Sequence, residues 1–195
     1  MNKHVPAIIS IFLLFFIVAC NGMNQQNIVS SSEITEREDF FLSTTTEQSF
    51  VFDFHTDNSY KEVSVWVEKY ESGAYVGEIN RITSEIGKEG MLMFTTSKLI
   101  EENNNESLFT VSIKSEDGSA TGWSPEMIDE ERAVWGPNPS ETIPIKGQMV
   151  LASISYVDDK NEMRTFSPDF YDEIDHHKEE LKQYQSVYLF RCEFK

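Results

Sequence analysis

Val63-Ser64-Val65-Trp66-Val67-Glu68 places an apolar residue at every second position, the spacing that sends successive side chains to opposite faces of a β-strand. The same period recurs on both sides of it. Phe50, Phe52 and Phe54 alternate with Val51, Asp53 and His55, and Phe109, Val111 and Ile113 alternate with Thr110 and Ser112. Val150, Ala152, Ile154 and Tyr156 form a fourth run, and Tyr188, Phe190, Cys192 and Phe194 share one face of a fifth. Weaker candidates are Phe40 to Leu42, Ala74 to Ile82, Met91 to Thr95 and Met163 to Phe166. Turn signals at Glu71-Ser72-Gly73, Glu102 to Asn105 and Asp158-Asp159-Lys160-Asn161 separate these runs. The pattern predicts a mainly β fold, an antiparallel β-sandwich that is immunoglobulin-like in general architecture. Glu71-Ser72-Gly73 is most simply a three-residue hairpin loop with Gly73 in the left-handed region.

Two short helices are expected to interrupt the strands. Ser124-Pro125-Glu126 and Ser167-Pro168-Asp169 each offer a Ser N-cap, a Pro at the first helical position and an acid in the first turn. The first should stop at Gly136-Pro137, with Trp123 and Trp135 anchoring its flanks. In the second, Phe170, Ile174, His177, Leu181 and Tyr184 recur at helical spacing and define one apolar face.

The N-terminus sets the address. Lys3 precedes an apolar segment from Ala7 to Val18, too short for the roughly 20 apolar residues that a spanning helix needs. It ends in Ile17-Val18-Ala19-Cys20, with an aliphatic residue three before and a small residue just before the Cys. This resembles the signal of bacterial lipoproteins, with Ile where Leu is usual and Val18 where Ala or Ser is usual. The resemblance covers only these twenty residues. It implies cleavage before Cys20, diacylglycerol on the Cys20 thiol, and a chain held by lipid at the outer face of the cytoplasmic membrane, or in the outer membrane if the cell has one. Three regions follow: residues 1–19 as signal peptide, residues 20–38 as lipidated Cys and flexible tether, and residues 39–195 as one sandwich domain. The tether reading rests on a polar, aromatic-poor composition with Ser30-Ser31-Ser32.

With 33 Asp+Glu against 16 Lys+Arg, the formal net charge is −17, and loss of Lys3 makes it −18. Such a chain is unsuited to nucleic acid, whose phosphates are bound by Lys and Arg, and an anionic bilayer repels the body while the lipid holds it. If Cys20 carries lipid, Cys192 has no partner in its own chain, and it reads as a small buried hydrophobe.

Candidate sites are few. If Val63, Val65 and Val67 face the core, then Tyr60, Trp66 and Tyr70 fall on the opposite face, where exposed rings would suit sugar or peptide. On a continuous helix Asp172, His176 and Glu180 share a face, a weak candidate for a divalent metal. Asp158, Asp159, Asn161 and Glu162 lack the Gly of a calcium loop and read as a hairpin turn. No nucleophile elbow, phosphate-cradling loop or His-Glu-x-x-His is present. The sequence therefore predicts a lipid-anchored envelope module without a cofactor, binding wall polymer, a peptide or another envelope protein; a metal-dependent module built on His176 is the alternative.

Overall fold

The computed structural model describes residues 27–57, 59–98, 105–129, 132–157 and 164–195. The signal segment, Cys20 and the Asp158 to Glu162 cluster lie outside them. Two antiparallel sheets pack face to face. One holds six strands in the order β7-β6-β5-β2-β1-β9, the other five in the order β4-β3-β11-β10-β8. The strands are β1 (Ile28–Ser31), β2 (Gln48–His55), β3 (Glu62–Glu71), β4 (Ala74–Glu85), β5 (Glu89–Lys98), β6 (Glu106–Ser115), β7 (Ser119–Met127), β8 (Arg132–Pro137), β9 (Ile143–Pro144), β10 (Gln148–Val157) and β11 (Ser186–Phe194). The helices are α1 (Glu36–Thr45), α2 (Pro168–Asp172) and α3 (Lys178–Leu181), with a 3-10 turn at Ile174–His176.

The alternating residues meet between the sheets. Phe50, Phe52 and Phe54 from one layer pack with Val63, Val65, Val67 and the Tyr188 to Phe194 face of the other, in a single buried cluster. Phe190 lies at the centre, within 5.5 Å of Phe50 and 5.1 Å of Phe94 by ring centroids. Cys192 belongs to this cluster, and burial pushes its thiol well above the usual range although Arg191 acts the other way.

Four sequence expectations are corrected. Ser124-Pro125-Glu126 is not a helix start but part of β7, whose Leu108↔Pro125 pairing uses an edge strand, where a missing N–H is tolerated. Phe40 to Leu42 is not a strand. It lies in α1, which a Thr35–Glu38 capping box initiates. The supposed tether through residue 38 is partly built into the body. Ile28–Ser31 pairs with β2 on one side and β9 on the other, Val29 is fully buried, and Asn27 exchanges hydrogen bonds with Asp57. The hairpin after β3 is tighter than expected, because Glu71 pairs with Ala74. Its two central residues, Ser72 and Gly73, sit at φ 49° and 81°, as a type I′ turn requires.

The helix begun at Pro168 also differs. It breaks at Glu173 (φ −138°) into α2, the 3-10 turn and α3. Ser167 gives no capping bond, because its hydroxyl donates to Glu180 at 2.8 Å. The apolar stripe still works: Phe166, Phe170, Tyr171, Leu181 and Tyr184 form a second cluster with Val150, Val157, Val187 and Leu189 on the outer face of the five-stranded sheet. That sheet is buried on both faces, so β3, β10 and β11 carry almost no exposed position.

Candidate binding face

The covered sheet disposes of the first candidate surface. Tyr60, Trp66 and Tyr70 do not form an exposed row: Trp66 is 0 % exposed, Tyr70 is buried and Tyr60 packs edge-on against Phe194 at 6.0 Å. The register is the one the sequence implies, with the valines inward and Trp66 and Tyr70 outward, but the outward face is sealed. The Arg81 guanidinium lies 3.7 Å from the Trp66 ring centroid, held by two bonds to Glu78, and Tyr75 meets Tyr70 edge-on. Beneath this lid, Glu68 accepts from Trp66 Nε1 at 3.0 Å, Tyr70 Oη at 3.0 Å and Arg191 Nη1 at 3.0 and 2.9 Å. Burial, then the Glu68 carboxylate, pushes the Tyr70 hydroxyl far above its ordinary range. These bonds are made among the network's own side chains, with Arg191 Nε left buried without a hydrogen-bond partner, and the arrangement is a structural centre.

The metal candidate is not assembled either. His176 Nδ1 is 2.7 Å from Glu173, His177 Nδ1 is 2.8 Å from Glu180, and Asp172 lies 3.6 Å from Lys146. The break at Glu173 takes Asp172, His176 and Glu180 off a common helix face, and no group of three metal-ligating side chains occurs among the described residues.

The outer face of the six-stranded sheet is different. α1 packs against β2, and among the described residues no helical layer like that of the other sheet lies over this one. The cross-strand register lays out its rows. Trp123 of β7 stands beside Thr110 and then Thr95; Thr121 beside Ser112 and Met93; Lys114 beside Met91, Asp53 and Ser30. Trp123 is 67 % exposed. Ser112 Oγ and Thr121 Oγ1 lie 3.1 Å apart. Toward one end the face deepens into a trough of about 700 Å³, whose walls include Asp53, His55, Glu89, Met91, Lys114 and Glu116. Among these residues His55 Nδ1 lies 3.3 Å from Glu89 Oε1. Such a surface offers one broad ring, hydroxyl donors and acceptors, two thioethers and charges of both signs.

Trp123 was hidden in the sequence because β7 has no apolar alternation. Its inward residues Ala120, Gly122 and Ser124 are small where β4 crosses closely over this edge, and the fourth, Glu126, pairs with Lys69 at 3.1 Å. A Cβ on Gly122 would come 2.6 Å from Ile82 Cγ2.

Fold and face together define a two-layer β-sandwich with one sheet sealed by helices and the other open. A family model described as the YgaN domain matches residues 28–194, and the chain belongs to that family. The match begins at β1, in agreement with its place inside the sheet. No curated protein and no solved structure matches the chain.

Proposed function

We propose that the protein is a lipid-anchored extracytoplasmic module that binds wall polymer through the open face of its six-stranded sheet. The anchor reading is supported by Ile17-Val18-Ala19-Cys20 at the end of a short apolar segment. Among the described residues no helix is long and apolar enough to cross a membrane. The observation that carries the binding reading is the contrast between the sheets: one outer face is closed by Phe166 to Tyr184, and the other presents Trp123 to solvent. A flat ring beside hydroxyl-bearing Thr110, Ser112 and Thr121 suits a sugar, whose ring faces stack and whose hydroxyls bond in the sheet plane.

Titration of residues 27–195 with soluble wall glycan, followed by NMR shifts on β5, β6 and β7, tests this. Trp123→Ala should weaken binding about tenfold, equivalent to about 1.4 kcal/mol, without loss of fold. Glycan binding that survives Trp123→Ala unchanged, or shifts confined to other elements, removes the proposed face. A face that ignores glycan but binds an envelope peptide replaces the occupant.

A further inference from the structure

The chain enters the body at one end of the sandwich, and that end is distinctive. Asn27 bonds to Asp57, and its carbonyl accepts from Ile145 N at 2.8 Å. Thr56 N donates to the Lys88 carbonyl, Ile86 N to the Lys61 carbonyl, and Glu62 N to the Lys195 carbonyl. These bonds gather the loops after β2, β4 and β9 and the end of β11 into one rim. Of the ten lysines beyond Cys20, five stand exposed on it: Lys61, Lys88, Lys114, Lys146 and Lys195. Acids interleave with them, Glu193 pairing with Lys195 at 2.8 Å. The helices are much more one-sided, with nine acids against Arg37, Lys178 and Lys182 over residues 36–45 and 168–182.

We propose that this lysine-bearing rim rests on the headgroup layer of the bilayer, so that the strands stand upright and the open sheet face points sideways. The inference rests on the lipid at Cys20 proposed above. The reason is length. With β1 part of the sheet, only seven Cα steps separate Cys20 from Asn27, a span of at most about 25 Å. Ten-residue strands are about 33 Å long, so the opposite end, with α1 and its exposed Phe40 and Phe41, cannot reach the surface in the same pose. Charge acts in the same direction. A negative surface potential fades within a Debye length of about 8 to 10 Å, so it is felt by the end that is near. The rim there sets five lysines against Asp57, Glu85, Glu89, Glu116, Asp117 and Glu193, with Asp172 of α2 beside Lys146, while the acidic α1 is carried away from it.

The test uses the full lipidated chain in vesicles containing anionic lipid. Cys192 is buried and Cys20 is blocked by its lipid, so one engineered Cys takes a fluorophore, either Asp117→Cys on the rim or Phe40→Cys on α1. A headgroup-attached quencher should quench the rim probe at least about threefold more than the α1 probe, because contact falls off over a few ångströms against a separation near 30 Å. Inserting 20 Gly/Ser residues after Gln25 should bring the two probes toward equality, since a chain of that length reaches about 25 Å on average in any direction. Lys88→Glu, Lys114→Glu and Lys146→Glu together should reduce quenching of the rim probe about twofold at low salt and less at high salt. Equal quenching of both probes in the parent protein, or a charge-reversed rim that is quenched as before, overturns the proposal. Failure of the protein to float with vesicles, with no diacylglycerol mass on Cys20, instead overturns the anchor itself.

Discussion

Glu68 accepts four hydrogen bonds from three side chains, and each donor is buried with it. An Arg–carboxylate pair of this kind adds little net stability over an apolar replacement, yet removing one partner strands the other charge. Glu68→Ala should therefore cost about 3 to 5 kcal/mol in denaturant unfolding, and Trp66→Ala about 3 to 5 kcal/mol from its lost packing. A Trp66→Ala variant as stable as the parent would contradict the sealed position of the ring. Asp57 gives a pH test. Hydrogen bonds from the Ser59 hydroxyl, the Asn27 amide and the Ser59 N–H hold its carboxyl down to about 2. The folded value lies below the unfolded one, so the stabilisation is complete above pH ~4 and is lost as pH falls through about 2. Carboxyl NMR should find Asp57 still ionised at pH 3, and Asp57→Asn should flatten stability across that window; titration near 4 would refute the pinning of the chain entry. Glu180 shares the direction: burial raises its pKa, but the Ser167 N–H and hydroxyl and His177 outweigh it.

At the scale of elements, β1 is four residues long and fills the gap between β2 and β9. Its sequence, Ile-Val-Ser-Ser, has a single fully buried residue, and the polar neighbours pair through their backbones. That is why composition read it as tether: the burial of Val29 depends on two partners more than twenty and a hundred residues away. Val29→Ala should cost about 1.5 to 3 kcal/mol. Deleting residues 27–31 should cost more, since β2 and β9 then lose their ladder bonds as well; equal stability of the truncated chain in urea unfolding would show that β1 is dispensable. β7 teaches a related lesson. Ser-Pro-Glu is a sound local helix start, but the backbone bonds of Ser119–Met127 go to β6, and the Pro falls at the sheet edge. The segment from Pro168 kept its apolar stripe but lost its continuity, because Ser167 and Glu180 satisfy one another instead of extending a helix.

On the scale of the whole molecule, the sandwich is asymmetric, one sheet buried on both faces and the other not, and the proposed lipid at Cys20 can be tested directly. Cys20→Ala should release the protein from membranes into the soluble extracytoplasmic fraction while leaving unfolding of the body unchanged; membrane retention of this variant, or a mature N-terminus elsewhere by mass spectrometry, would exclude the anchor. Local, periodic features were legible in the sequence. Alternation at Phe50 to Phe54, Val63 to Val67, Phe109 to Ile113, Val150 to Tyr156 and Tyr188 to Phe194 specified five strands and, for all but Val150, their inward faces, because a side-chain period of two is a property of the strand alone; a bulge between Val150 and Ala152 turns Val150 to the outer cluster. Which outward face meets water was decided only in three dimensions. Trp66 and Trp123 both point away from the core between the sheets, yet the first is sealed by Arg81 and the Glu68 network and the second is open, because what lies above a sheet is set by distant chain segments and not by the strand's own residues.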